Sequence, residues 1–402
     1  MRILISAGGT GGHVYPALAV VEQLRTNALT DALAPANSDK RVGDREKREL
    51  LPPRSSLPSP QLLWLGSRTG VESSLVCNAG IPFRSIESGA LRGRNPVTAI
   101  RSLARNLKGI LQSLQILEEF DPQVCLATGG YVCAPVSIAC QMRGVPLLIY
   151  LPDMTPGLAV RWLSRLAQRV AVSFPEVAGF FGRKAVDTGY PVRAEVMSAV
   201  RDRDAAREIL ARKLEIERPD APLLLVFGGS QGARSINRAI WKAAPALLPF
   251  CQILHVIGTR DWPLLKLEGP DLSANGLVSR YHPVAYLHEE MPWALAGADL
   301  VVARAGASVL AEFPLARLPS VLVPLPIAGS HQMPNAQKLA QSGGAIIVED
   351  RELAEGLEPT VAGLLADERR RLAMGAAVGA LARPQAADNI VRELQWLAAR
   401  GG

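Results

Sequence analysis

This chain has few of the residues that staple a fold or hold a metal. Its five cysteines, Cys77, Cys125, Cys133, Cys140 and Cys251, include no CxxC pair, and their odd number argues against a disulfide framework and for a reducing compartment. Its five histidines lack the spacing of a ligand set, so neither a metal nor another cofactor is expected. The most apolar long window, 132–151, is broken by Gln141 and Arg143 and falls short of the ~20 residues a membrane-spanning helix needs. Met1 leads straight into an apolar run, so no signal peptide is expected. These absences argue against a secreted disulfide scaffold and an integral membrane protein. The expectation is a soluble protein, or one that lies on a membrane.

What is present bounds the class. At 402 residues the chain should hold two domains of about 100 to 200 residues each, and 48% hydrophobic residues allow each a real core. A net charge of +7 and a pI near 9.3 suggest a polyanionic partner: nucleic acid, anionic lipid or a phosphorylated substrate. No nucleic acid is expected, because the sequence lacks aromatic stacking platforms and basic recognition helices.

The first stretch, MRILISAGGTGGHVYPALAVVEQL, reads as strand, glycine loop and helix. A loop without side chains lets backbone N–H groups and the positive helix end approach an anion or a sugar. The spacing is not GxGxxG, and no acidic residue closes a second strand about 20 residues on, as a dinucleotide site requires. Asn27 to Pro60 then loses periodicity and reads as a flexible insertion. Strands are predicted over 61–66, 81–86, 124–127, 146–150, 169–173 and 185–188. The helix that starts at Asn95-Pro96 should bury Ile100, Leu103, Leu107, Ile110, Leu114 and Leu117. Six basic residues against one acid between Arg84 and Lys108 form either a solvated face or a seat for anionic lipid or pyrophosphate. A second glycine turn, Thr128-Gly129-Gly130-Tyr131, follows the strand at 124–127.

The same grammar restarts after 189–193. PLLLVF at 222–227 is a buried strand, Gly228-Gly229-Ser230-Gln231-Gly232 is a third glycine turn, and a helix follows through Trp241. Further strands are predicted over 252–257, 278–281, 300–303, 320–323 and 345–348, and 388–400 is a last amphipathic helix. The fold class is therefore α/β: two doubly wound, Rossmann-like domains facing across a cleft, spanning 1–190 and 191–385, with a terminal helix over 386–402 packing back on the first. Asp202-Arg203-Asp204, a DxD, sits in a charged helix-like segment and reads as surface decoration.

AGGTGGHVYPALAV, TGGYV, GGSQGARSIN and RAGASVLAE with its trailing HQMPNA closely resemble the MurG-like enzymes of glycosyltransferase family 28, of the two-domain GT-B fold. The resemblance covers the whole chain except 27–60. It implies inverting transfer of N-acetylglucosamine from UDP-GlcNAc to the C4 hydroxyl of a muramoyl-pentapeptide carried on undecaprenyl diphosphate, on the cytoplasmic face of a bacterial membrane, in peptidoglycan synthesis. By the same resemblance Ser230 and its turn would bind UDP phosphate and Glu312 the ribose, while Ala307, Ser308, Val309, Leu310, Ala311 and Glu312 would frame the nucleotide sugar. Gln332, with His331, would meet GlcNAc hydroxyls, Arg193 would assist, and His288 falls where the family's backbone contacts uracil. Thr10, Gly11, Gly12 and His13, with Gly129, Gly130 and Tyr131, would face the acceptor's diphosphate and sugar.

The reaction needs a base near the acceptor hydroxyl. An imidazole is poised for that duty, which makes His13 the candidate; its other role is to orient the acceptor by hydrogen bonding. The family's His-Glu-Gln-Asn is Tyr150-Leu151-Pro152-Asp153 here, so the glutamate is lost and Asp153 is the alternative base. Ser330 stands where an aspartate is usual. Two other readings stay open: a GT-B transferase with another lipid acceptor such as a diacylglycerol, and a UDP-GlcNAc epimerase or a sugar-nucleotide-binding relative.

Overall fold

The computed structural model describes residues 1–9, 11–33, 60–67, 72–89, 96–216, 221–229, 232–272, 276–326 and 331–400. Thr10, Ser230, Gln231, Ser330, Asn95 and the insertion over 34–59 lie outside the described residues. The chain divides into two compact units, Met1–Arg193 with Gln385–Gly402, and Ala194–Pro384.

The first unit alternates strands and helices: β1 (Arg2–Ala7), α1 (Gly11–Leu33), β2 (Gln61–Gly66), α2 (Glu72–Asn78), β3 (Phe83–Ser85), α3 (Pro96–Phe120) and β4 (Val124–Gly129). It continues with α4 (Cys133–Arg143), β5 (Leu147–Leu151), α5 (Leu158–Leu163), β6 (Arg169–Val172) and β7 (Ala185–Asp187). Its sheet is parallel throughout, in the order β3-β2-β1-β4-β5-β6-β7. Strands buried on both faces need continuous apolar runs, and Ile3, Leu4, Ile5, Leu126, Leu148 and Val170 are fully buried. Strand order reverses between β1 and β4, so the crevice of a doubly wound sheet falls at their carboxyl ends. Both glycine turns of this unit sit there.

The second unit holds α6 (Ala194–Ala199), α7 (Arg203–Leu214), β8 (Leu223–Phe227), α8 (Arg234–Leu247), β9 (Gln252–Val256), α9 (Leu265–Glu268), β10 (Tyr281–Val284) and α10 (Met291–Gly297). It continues with β11 (Leu300–Ala303), α11 (Val309–Ala316), β12 (Ser320–Leu322), α12 (Gln332–Gln341), β13 (Ala345–Ile347), α13 (Leu353–Ala366) and α14 (Glu368–Gly379). Its parallel sheet runs β10-β9-β8-β11-β12-β13 and reverses between β8 and β11. The turn at 228–232 follows the first of these strands and Arg304 to Ser308 the second. The chain then returns to the first unit as α15 (Ala386–Arg400).

Three expectations are corrected. Helix α1 does not stop before Asn27 but runs through Leu33, because Arg25 bonds the Ala79 and Gly80 carbonyls and Asn27 bonds Asp388 of α15. Residues Val278–Arg280 form a 3₁₀ turn rather than a strand, and the strand is Tyr281–Val284, which carries Pro283 on a sheet edge where a missing N–H is tolerated. The predicted buried stripe of α3 is exposed over its first half: Ile100, Leu103 and Leu107 are 68%, 56% and 55% exposed. Of that stripe Leu117 is buried as expected and Ile110 and Leu114 are half-buried, and the helix packs through Asn106, Gly109, Ser113, Ile116 and Leu117. Asn106 exchanges two hydrogen bonds with the Gly89 backbone, and Ser113 bonds the Gly109 carbonyl, so polar atoms are satisfied where apolar ones were expected.

Candidate active site

In the first unit, Gly8 and Gly9 leave β1 and Gly11 opens α1, placing His13 in its first turn. Gly129 and Gly130 come down beside them from β4 with φ of +134° and +90°, a region that favours glycine. The approach is as close as backbones allow. A Cβ on Gly129 would lie 2.4 Å from the His13 ring, and one on Gly130 would lie 2.3 Å from the Gly8 carbonyl oxygen. The Gly8 N–H donates to the Gly129 carbonyl at 3.2 Å, and the Thr128 hydroxyl donates to the His13 carbonyl at 2.6 Å. His13 Nδ1 lies 3.3 Å from the Gly8 carbonyl oxygen. The Gly9 N–H is taken by the Glu72 carboxylate at 3.2 Å, so the amides a ligand could use are those at the start of α1. Tyr131, at the mouth of the second turn, is exposed.

Leu151 is a core residue of β5, 2% exposed, and Tyr150 is buried with its hydroxyl 2.8 Å from Ser173 Oγ. Burial pushes the Tyr150 phenol well above its usual pKa, so it stays protonated. Asp153 follows, half-buried. Arg193 packs in the first unit, its guanidinium 4.5 Å from the centre of the Tyr15 ring, and its Nε is buried with no hydrogen-bond acceptor among the described residues.

In the second unit, Gly229 and Gly232 have φ of +108° and +86°, and a Cβ on Gly232 would lie 2.3 Å from the Ile257 carbonyl oxygen. Helix α8 begins just beyond, with no acid in its first turn. After β11, Arg304 is 9% exposed and donates to the Val323 carbonyl, the Pro324 carbonyl and the Ser235 hydroxyl, while pairing with Asp350 at 2.5 Å. Asn335, fully buried on α12, donates to the Ala305 carbonyl at 3.2 Å and so fixes the turn that leads into α11. Ala307 and Ser308 are half-buried, Glu312 sits in the first turn of α11, and the side chains of Val309, Leu310 and Ala311 are buried, which leaves only their backbone to face a ligand. Gln332 Oε1 accepts the Leu325 N–H at 2.9 Å. His288 is exposed against Tyr286, ring centroids 4.6 Å apart, and its amide bonds Glu290. Asp202 caps α7 by accepting the Ala205 N–H, a structural duty for the DxD.

Glu72 and Asp350 carry no motif of their own, and a capping-type acid and a strand-end aspartate are the only sequence signals they offer, whereas Asn335 lies inside HQMPNA.

Two parallel Rossmann-like units with paired glycine turns at their strand reversals define a GT-B glycosyltransferase, and this chain belongs to glycosyltransferase family 28. The family's N-terminal domain matches residues 3–43 and 59–172, and its C-terminal domain matches residues 223–390. A protein of Desulforudis audaxviator is 39% identical over the full length of both chains, and one of Roseiflexus is 39% identical over 100% of this chain and 96% of its own. Both are named UDP-N-acetylglucosamine–N-acetylmuramyl-(pentapeptide) pyrophosphoryl-undecaprenol N-acetylglucosamine transferase. The crystal structure of MurG from Acinetobacter baumannii superposes with a TM-score of 0.71 at 25% identity, covering 98% of this chain and 99% of that one. A UDP-GlcNAc 2-epimerase from Neisseria meningitidis shares the fold, with a TM-score of 0.64 at 12% identity.

Proposed function

We propose that this chain transfers N-acetylglucosamine from UDP-GlcNAc to the C4 hydroxyl of undecaprenyl-diphospho-N-acetylmuramoyl-pentapeptide, giving lipid II on the cytoplasmic face of the bacterial membrane. The observation that carries this is the 39% identity, end to end, to relatives named for that transfer. The second unit holds the donor. Ser230 and the amides of α8 take the diphosphate, Glu312 the ribose hydroxyls, the backbone of Ala307 to Glu312 and the segment around His288 the nucleotide, and Gln332 the sugar. The first unit holds the acceptor, through the amides at the head of α1 and through Gly129 to Tyr131, with Arg193 beside them.

In the reaction the acceptor oxygen attacks the anomeric carbon, the bond from that carbon to the diphosphate oxygen breaks, and UDP leaves with the electron pair. The hydroxyl proton passes to His13 Nε2. Leu151 offers no carboxylate, and that favours His13 over any residue at its position. Helix N-termini stabilise the leaving diphosphate.

The exposed half of α3 supports docking on an anionic membrane. Ile100, Leu103, Leu107 and Leu111 stand out in a row, flanked by Arg101 and Arg105, which make no ion pair among the described residues. No described helix is long and apolar enough to cross a membrane, so the contact is at the surface. The test is product identification with UDP-GlcNAc and a panel of acceptors. UDP release and lipid II only with the muramoyl-pentapeptide lipid supports the reading. Transfer to diacylglycerol, or epimerisation without acceptor, overturns it.

A further inference from the structure

Glu72, at the start of α2, is a fully buried carboxylate pressed against the first glycine turn. Its Oε1 accepts the Ser67 N–H at 2.8 Å and the Ser67 hydroxyl at 2.6 Å, and its Oε2 accepts the Gly9 N–H. A Cβ on Gly8 would lie 2.6 Å from Oε1. The Gly9 N–H and the Gly8 carbonyl belong to one planar trans peptide, so they point in opposite directions. One end meets Glu72 and the other meets His13 Nδ1. A carbonyl can only accept, so Nδ1 carries the proton and Nε2 is the basic nitrogen.

We propose that Glu72 is a positioning residue for His13, acting through the Gly8–Gly9 peptide: the carboxylate fixes the N–H end, and the carbonyl end holds the imidazole in the tautomer whose Nε2 accepts the substrate proton. This deepens the reading of His13 as base and rests on it. The same arrangement fixes an electrostatic direction, because a negative charge at the N–H end makes the carbonyl a stronger acceptor and favours the imidazolium. Burial alone would raise the Glu72 pKa, but hydrogen bonds from Ser67, its own amide and Gly9 reverse this and hold it below the usual glutamate value. The carboxylate is therefore ionised when the enzyme works. The Gly8–Gly9 peptide is also braced from the far side by Gly130, which no larger residue could replace without striking the Gly8 oxygen. The other ionisable groups of these segments are Tyr15, Arg193 stacked on its ring, and Cys133, whose thiol bonds the Gly129 carbonyl and is raised by burial to about 11. None of them grips the peptide that Glu72 grips.

The test is a nitrogen-15 NMR titration of histidine-labelled full-length protein, with His13 assigned by His13→Gln. The wild type should show the Nδ1–H tautomer. Glu72→Gln should lower the His13 midpoint by about half a unit to one unit, because the nearby negative charge is gone, and should raise the Nε2–H fraction. Ser67→Ala keeps the charge and the Gly9 bond and should leave both values in place. An Nε2–H tautomer in the wild type, an unmoved midpoint in Glu72→Gln, or an equal shift in Ser67→Ala overturns the proposal, and the first of these needs no variant to fold. Turnover separates the two layers: full transfer by His13→Ala would remove the base assignment while the NMR shifts still decided the role of Glu72.

Discussion

The two units repeat one arrangement, a glycine turn where strand order reverses, but one is backed by a lone carboxylate and the other by an ion pair. In the first unit the amides of Gly8 and Gly9 are already committed, to Gly129 and to the Glu72 carboxylate, so the turn is closed against anions from behind and holds a histidine in front. In the second unit a buried ion pair, Arg304 with Asp350, stands behind Ser235 at the head of α8: the guanidinium donates to the Ser235 hydroxyl, which donates to the carboxylate, and the helix carries no acid of its own in its first turn. A helix start whose nearby carboxylates are each paired with an arginine would suit a departing diphosphate, and a turn tied directly to a carboxylate would suit proton transfer. On the proposed function the same local grammar would serve two chemistries, and what separates them is the side chains that back the glycines.

The comparison breaks most visibly at the glycines themselves. An alanine at Gly130 or Gly232 must resolve a 2.3 Å contact with a carbonyl oxygen at positive φ, at about 1–3 kcal/mol of strain or a displaced turn. Gly130→Ala should lower turnover by about a hundredfold or more with UDP affinity unchanged, since small misplacements of reacting groups cost that much. Gly232→Ala should instead weaken UDP binding, measured by calorimetry. Equal losses of UDP affinity in both would end the division of labour. His13→Ala against Glu312→Ala sharpens the same contrast. The first should cut kcat by about 10²–10⁴ without moving the donor KM. The second should raise the donor KM by about tenfold through loss of a charged hydrogen bond.

Next in size is Arg304. It and Asp350 are a largely buried pair, 10% and 21% exposed, and removing one member leaves the other uncompensated. Arg304→Gln should destabilise the second unit by about 3 kcal/mol in urea unfolding, with no change in the first. A loss under about 1 kcal/mol would show that the pair is a surface contact in all but geometry.

How much of this was legible beforehand depended on the kind of signal. Continuous apolar runs located β1, β4, β8 and β11, and the glycines after them located the turns, because both are local properties of the chain. Helix α3 misled because periodicity reports an apolar face without saying whether protein or something outside it covers that face; Ile100 and Leu103 have the right spacing for a core and stand in solvent. The partners of Glu72 and Arg304 were illegible for a related reason. A charged residue reads as surface until the fold brings it under another segment's backbone, and both partnerships span many residues of chain. The position of Leu151 was read as a missing carboxylate, but only the structure shows it as part of the core.

The response to acid tests whether the second unit alone carries an acid-sensitive brace. Beneath its glycine turn, Trp241 Nε1–H donates to Tyr281, whose hydroxyl lies 2.9 Å from His255 Nδ1, while His255 Nε2 lies 3.0 Å from Asn237 Oδ1. Asn237 in turn donates to the Ile257 carbonyl, the atom Gly232 rests against. The run is satisfied in one proton order, with the tyrosine donating to a neutral imidazole that donates to the asparagine. A second ring proton would face a hydroxyl already engaged, and burial pushes the His255 pKa down to about 3. The folded value lies below the unfolded one near 6.5, so this contribution is complete above pH 6.5 and is lost as pH falls toward 3, reaching about 2 kcal/mol at pH 5. Urea unfolding followed by Trp241 fluorescence should therefore shift to lower denaturant between pH 7 and pH 5, and probes in the first unit, whose His13 is only half-buried, should shift less. Equal shifts in both units, or none at Trp241, would mean that the imidazole is free to charge in the folded state and that the brace under the second unit's glycine turn is ordinary packing.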